Sequence, residues 1–307
     1  MAFQIRVPAS SANLGPGFDS VGIAFNRFLT LDVTPYDSWQ FIHRSALLLD
    51  CPPYEEHLIY QIALKTAQNF HREMPPHQVA ITSEIPFARG LGSSASAVLA
   101  GIELANQICE LQLSDDDKLL LATEMEGHPD NVAAALFGGL VIAAQHAVGE
   151  KAEKLVDYVC IPTLKDVLAV LYIPQFELKT AAAREVLPKQ LQRSQATTAS
   201  AISNMMIASL LTGNYEQAGK WMEQDIFHEP YRAKLLPDYE QIKRDAKQLG
   251  AYGTVISGAG PTMLSLVPTG KAIQIVAEMR KRLPKYHVEP TPFNQSGMKV
   301  VSNVQVD

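Results

Sequence analysis

The chain has 307 residues, 47% of them apolar and 19% charged, with a formal net charge of −6. That balance allows two domains or one large one around a sizeable core, and it is too apolar for disorder. It argues against a nucleic-acid or membrane-surface protein, since both need basic faces, while local arginines can still hold an anionic small ligand.

"FQIRVPAS" and "FLTLDVTP" alternate and are rich in β-branched residues, which predicts two strands. Within "VPASSANLGPGFD", Val7 to Asp19, the breaks are Pro8, Gly15, Pro16 and Gly17, and the polar groups are Asn13 and Asp19. Taken alone it reads as a strand-to-helix loop with Asn13 left-handed. From Glu56 to Phe70, apolar residues at positions 58, 59, 62, 63 and 67 have helical spacing. "HQVAITSEI" is a strand that ends at Pro86. A Gly- and Ser-rich loop follows and leads into a helix to about Cys109. "SDDDKLLLATEME" is a second helix, with Ser114 and Asp117 as a capping box and three acids in its first turn. "GHPDNVAAALFGG" and a strand, "GLVIAAQ", come next.

The polar stretch "VGEKAEKLVD" places a domain seam between there and Lys165. Beyond it, "VLAVLYIP" is a buried strand, and a helix runs near Thr197 to Thr212 with Gly213 as its left-handed cap. "LPDYEQIKRDAKQLG" is a helix closed by Gly250, and "GTVISGAGPTMLSLVP" is a strand, a Gly-rich turn and a strand. "KAIQIVAEMRKRL" is the last helix and "GMKVVSNVQV" the last strand. Strands and helices interleave without a regular βαβ array, so the class is α+β with two layers per domain.

No apolar run is long enough to span a membrane. The start, "MAFQIRVPAS", lacks a basic segment followed by an apolar one, so no signal peptide is expected. Cys51, Cys109 and Cys160 are odd in number and widely spaced, which fits a reducing cytoplasm rather than a disulfide framework or a zinc site.

The loop "EIPFARGLGSSAS" sets Gly90, Gly92, Ser93 and Ser94 at a helix entrance. Glycines there can take positive φ and let a ligand approach the backbone. Free N–H groups and the helix dipole favour an anion, most often phosphate. The plainer alternative is a capped helix after a Gly turn. A Walker A loop is excluded, because neither Gly219-Lys220 nor Gly270-Lys271 has the required spacing. "GLGSSA" matches a dinucleotide fingerprint with Glu110 as the ribose acid, but Pro86 separates strand from turn and Glu110 lies just past a helix.

"IPFARGLGSSAS" resembles the phosphate-binding loop of the GHMP kinase superfamily. "VPASSANLGPGFD" resembles that superfamily's first motif in its homoserine kinase form, and "SGAGPT", Ser257 to Thr262, its third. With "EGHPDNVAAALFGG" and "LKTAAAREVLP" the similarity spans nearly the whole chain. The resemblance implies a mixed-sheet N-terminal ATP-binding domain, 1–165, and a ferredoxin-like C-terminal domain, 166–307. It implies Mg²⁺-dependent transfer of phosphate from ATP to the hydroxyl of L-homoserine, a step of threonine biosynthesis, by a cytoplasmic homodimer that binds neither nucleic acid nor membrane.

By the same resemblance, Pro86, Phe87, Ala88, Arg89, Gly90, Leu91, Gly92, Ser93, Ser94, Ala95 and Ser96 wrap the nucleotide, and Ser94 and Glu126 hold the metal. Glu124 remains a competitor of Glu126. Asn13, Asp19, His128, Asp130, Asn131, Thr180, Arg184 and Arg232 form the amino-acid pocket, the two arginines taking the carboxylate. Asn131 and Asn13 orient the hydroxyl, and Asp130 is the candidate base. The first motif has no Lys, and His57 stands near the adenine where the family usually shows Asn.

Overall fold

A computed structural model describes residues 2–48, 52–148, 153–161 and 164–302. Cys51, part of the expected seam (149–152, 162 and 163) and the end of the last expected strand (303–307) lie outside the described residues.

The first half contains β1 (Phe3–Asn13), β2 (Gly17–Pro35), β3 (Gln40–His43), α1 (Leu58–Asn69), β4 (His77–Ser83), α2 (Ser93–Ile108), α3 (Asp115–Glu126), α4 (Asp130–Phe137), β5 (Leu140–Val148) and β6 (Glu153–Ile161). β1 and β2 form an antiparallel hairpin, with register shifts between Pro8 and Ala9 and between Ala12 and Asn13. The first motif is therefore a strand-to-strand turn, and no helix follows it. β2 is long enough to change partners: Val21–Ile23 pair with β5 and Leu29–Pro35 with β4, while β3 joins β4 in parallel. α2 lies in the core, with every residue from Ala95 to Asn106 buried. Its small side chains suit a helix packed on several sides.

The second half contains β7 (Val167–Pro174), α5 (Thr180–Glu185), α6 (Arg193–Leu211), α7 (Tyr215–Met222), α8 (Glu229–Arg232), α9 (Tyr239–Leu249), β8 (Gly253–Ile256), β9 (Met263–Pro268), α10 (Ala272–Arg282), β10 (Tyr286–Thr291) and β11 (Lys299–Ser302). Its antiparallel sheet runs β10-β7-β9-β8. This is the ferredoxin-like order, strand four beside one, three and two. Tyr172, Ile256, Met263, Ile275 and Met279 pack in a core between that sheet and α9 and α10.

Two expectations change. The polar stretch read as the seam belongs in part to a hairpin, because β6 pairs with β5 from Val148↔Glu153 to Leu140↔Ile161. Its charges mark an exposed ribbon, with Lys154 and Asp157 facing solvent. The last strand, grouped by sequence with the second unit, pairs with β1: Phe3↔Ser302 through Arg6↔Lys299. The chain thus ends its described course in the first sheet. β3, α4, α5, α7, α8 and β10 were not expected as elements. All six span eight residues or fewer, too short to show a periodic pattern of their own.

Candidate active site

The phosphate-loop residues Ala88, Gly90 and Gly92 have φ of 49, 73 and 70°, as a left-handed loop requires. The close approach at the glycines comes from the protein itself. A Cβ on Gly90 would lie 2.3 Å from the Ser257 carbonyl oxygen, and one on Gly92 would lie 2.3 Å from Ser10 Oγ. Both glycines therefore let the loop pack against the first and third motifs.

α2 starts at Ser93 without a side-chain cap. The Ser94 hydroxyl instead donates to Glu126 Oε1 at 2.5 Å. Glu124 faces Lys154 at 3.9 Å, so of the two acids it is Glu126 that reaches the loop. Ser96 is buried and donates to the carbonyls of Pro8 and Gly92. Arg89 departs from expectation. Its guanidinium donates to the carbonyls of Phe87, Pro174 and Gln175 and pairs with Glu177, so it ties the loop to the end of β7. Leu91 is core, and neither it nor Pro86 nor Arg89 is among the residues lining the two cavities at this loop.

One cleft, with about 610 Å³ of space outside protein atoms, brings Ala88, Gly90, Gly92, Ser93, Ser94, Ala95 and Glu126 to the same walls as Asn13, Asp19, His128, Asp130, Asn131, Thr180, Arg184 and Arg232. A second, more apolar cavity, open to solvent, shares Ser93 and Ser94 with it. His57, Ile59, Ile85, Phe87 and Ser96 are among the residues lining the second cavity. His57 Nδ1 accepts from Ile59 N, which leaves its proton on Nε2. Burial and His43 push this imidazole down to about 4.

In the cleft, Asn13 (φ 73°) accepts from Asp19 N on Oδ1 and donates from Nδ2 to the Gly258 carbonyl, each at 3.0 Å. Its amide is bonded at both ends to the turns it joins, which gives it a scaffold role that sequence did not suggest. Asp19 pairs bidentately with Arg184, at 2.7 and 3.2 Å. Sequence assigned these two groups to opposite ends of a substrate.

Arg232 is 2% exposed. Its Nε donates to the Ala183 carbonyl, and Nη1 to the Gly258 carbonyl and to His228 Nδ1. Burial and then Arg184 lower it to about 10, so it remains cationic at neutral pH. Both arginines lie against the Phe18 ring, 5.7 and 5.5 Å from its centroid.

Asp130 starts α4, and its Oδ1 accepts from His128 Nδ1 and Asn131 N, both at 2.6 Å. Burial opposes charge on His128, but the hydrogen bond and charge of Asp130 outweigh it and raise the imidazole above its ordinary pKa. Asn131 Oδ1 accepts from Ser10 Oγ at 3.0 Å, which turns its NH₂ toward the cleft it lines. Ser10, Phe18, His228 and Gly258 were missed. Ser10 and Phe18 lie inside the first motif and Gly258 inside the third, and His228 stands one helical turn before Arg232, so each had a positional signal.

Comparison with known proteins adds to this geometry. The family GHMP kinases N terminal domain matches residues 57–139, and GHMP kinases C terminal matches 206–285. The chain is 44% identical to a homoserine kinase of Bacillus velezensis, over 99% of this chain and 96% of that one. It is 50% identical to a homoserine kinase of Streptococcus equi subsp. equi, over 89% and 91%. The crystal structure of a homoserine kinase from Cytophaga hutchinsonii superposes with a TM-score of 0.82 at 28% identity, covering 98% of this chain and 97% of that one.

Proposed function

The chain belongs to the homoserine kinase family of the GHMP kinases, and from that premise we propose that it transfers the γ-phosphoryl group of ATP to the side-chain hydroxyl of L-homoserine. The observation that carries this reading is the single cleft with a phosphate loop on one wall and Asp19, Arg184 and Arg232 on the other.

The backbone N–H groups at the start of α2 and in the Gly90–Gly92 segment hold the phosphates. The second cavity takes the adenine, where the His57 Nε2–H can donate to a ring nitrogen. Ser94 and Glu126 fit Mg²⁺: they offer two hard oxygens and one negative charge at the loop. A Mg²⁺ ion there would offset charge on the transferring phosphoryl group.

Arg232 receives the substrate carboxylate on Nη2, the nitrogen left free by its hydrogen bonds among the described residues. A zwitterion can also replace the half-exposed Asp19–Arg184 pair, ammonium to Asp19 and carboxylate to Arg184, so that each charge exchanges one partner for another. Asn131, fixed by Ser10, donates to the hydroxyl oxygen and aims it at the γ-phosphorus. The new O–P bond forms as the bond to the bridging oxygen of ADP breaks. Asp130, whose Oδ1 is taken up by His128 and Asn131 N, is the candidate acceptor of the hydroxyl proton in this reading, through Oδ2. Positioning and charge placement supply most of the rate in such transfers.

A homodimer in the cytoplasm belongs to the same reading, and light scattering in solution tests its oligomeric part. Among the described residues no helix is long and apolar enough to cross a membrane. The test of function is ADP release over a panel of alcohols. Homoserine should support Mg²⁺-dependent turnover, and Arg184→Ala and Arg232→Ala should each raise its KM by one to two decades, from about 1.5–3 kcal/mol per charged hydrogen bond. Turnover of mevalonate or galactose with none of homoserine would refute the assignment.

A further inference from the structure

His228 is 0% exposed and lies outside the groups given a role above. Its two ring nitrogens face partners that fix its tautomer independently. Nδ1 is 3.2 Å from Arg232 Nη1, and a guanidinium can only donate, so Nδ1 must be the acceptor. Nε2 is 3.0 Å from the Gly15 carbonyl oxygen, which can only accept, so Nε2 must carry the proton. The ring is therefore a neutral bridge between the β1–β2 turn and the guanidinium.

The surroundings hold this bridge in place. Asp225 accepts from the backbone N–H groups of Phe227, His228 and Glu229, which fixes the start of α8. The imidazole stacks on Phe18, centroids 5.4 Å apart, and Phe18 also underlies both arginines. Burial pushes His228 down to about 4, against the pull of Asp225, which agrees with the neutral form.

We infer that His228 is a positioning residue for Arg232: it hydrogen-bonds Nη1 and anchors to Gly15, so that the remaining nitrogen, Nη2, stays directed at the substrate carboxylate. Arg232 has two other bonds, to the carbonyls of Ala183 and Gly258. Those two hold Nε and one edge of Nη1. The His228 bond removes the remaining freedom of the fork, and it makes the orientation depend on the first motif. The inference rests on the assignment of Arg232 to the carboxylate.

The experiment measures KM for homoserine and for ATP, with kcat, in His228→Leu, His228→Gln and His228→Asn. Leu fills the volume and keeps the contact with Phe18 but removes both bonds. Gln can accept from Arg232 and donate to Gly15, whereas Asn is too short to reach both. His228→Leu should raise the homoserine KM about fivefold to tenfold, the factor for one displaced hydrogen bond, with ATP KM and kcat changed less than about twofold. His228→Gln should return close to wild type and His228→Asn should not.

Adding His228→Leu to Arg232→Ala should change the homoserine KM no further, since the group being positioned is gone. A folded His228→Leu enzyme with wild-type homoserine KM overturns the inference, as do equal rises in both KM values or additivity with Arg232→Ala. If His228→Leu does not fold, the Gln and Asn variants decide by the same criterion, and equal KM values in the two overturn it. A normal homoserine KM in Arg232→Ala would instead refute the assignment of Arg232 itself, and this inference with it.

Discussion

Gly92→Ala separates two explanations of the phosphate loop. If the glycine only makes room for a nucleotide, the variant should fold normally and lose ATP affinity. The structure predicts a cost to folding as well. At φ 70° a side chain is disfavoured by about 1–2 kcal/mol. The new Cβ would also sit 2.3 Å from Ser10 Oγ and 3.2 Å from Asn131 Oδ1, an overpacking worth about 1–3 kcal/mol. Gly92→Ala should therefore lose about 2–5 kcal/mol.

Ser10→Ala alone removes one hydroxyl donor shared between Asn131 O and Oδ1, about 1 kcal/mol. In the double variant the clash with Oγ is gone. The left-handed φ, the lost hydroxyl bond and the tight contacts of the new Cβ with the Ser10 carbonyl oxygen, 3.0 Å, and Asn131 Oδ1, 3.2 Å, remain, so the total should be about 2–4 kcal/mol, short of the sum of the two single costs. Urea denaturation of the four proteins measures this cycle. All three variants should also turn over slowly, because Asn131 loses its fixed orientation. Strict additivity, or a Gly92→Ala protein of unchanged stability, would refute the reasoning.

Ser94→Ala should leave the melting temperature within a few degrees, because Ser94 makes no side-chain cap and, among the described residues, its hydroxyl bonds the Glu126 carboxylate alone. It should lower kcat and raise the Mg²⁺ needed for half-maximal rate; normal turnover at low Mg²⁺ would refute the metal assignment. Arg89→Ala should destabilise the protein by about 1–3 kcal/mol in denaturation, yet leave the ATP KM within about threefold, since its guanidinium bonds Phe87, Pro174 and Gln175 rather than a cavity. Burial lifts the Glu229 carboxyl from 4.5 to about 7, against the pull of Lys243, Tyr239 and Ile256. Between those pH values the folded chain keeps a proton that the unfolded chain releases, so stability should fall as pH rises through this window. Glu229→Gln should flatten that slope, as read from melting temperature against pH.

What was legible in the sequence was local. The capping box of Ser114 and Asp117, the left-handed Gly213 and Gly250, and the left-handed glycines of the phosphate loop each depend on a few neighbouring residues, and each is present. Ser94 and Glu126 meet across 32 residues, and Arg184 and Asp19 across 165. The resemblance placed those residues in one site but could not say that the last pair would bond to each other. Arg89 has the opposite history. It lies inside a motif, so sequence gave it the motif's ligand, while its side chain points to carbonyls at the end of β7. Position in a loop does not determine which face of the loop a long side chain takes. The hairpin of β5 and β6 was hidden because a ribbon exposed to solvent has a linker's composition.

The third motif shows why the site forms at all. Sequence read "SGAGPT" as a Gly-rich turn between strands, and it is one. Its bonds run to the other half of the molecule and, in one case, to Arg232 in its own half. Gly258 donates from N to the Ala12 carbonyl, and its own carbonyl accepts from Asn13 Nδ2 and Arg232 Nη1. The Ser257 hydroxyl donates to the Gly90 carbonyl at 2.6 Å and lies 2.8 Å from Ser11 Oγ. One turn therefore fixes the first motif, the phosphate loop and a pocket arginine together. These groups are buried, so each unmade bond would be costly, and the three segments have one low-energy arrangement rather than several. In-line transfer needs the hydroxyl and the phosphoryl group held at a set separation. In the proposed reading the amino-acid wall is anchored to Gly258 through Asn13 and Arg232, and the phosphate loop to Ser257 through Gly90, so the backbone of adjacent residues would set that separation.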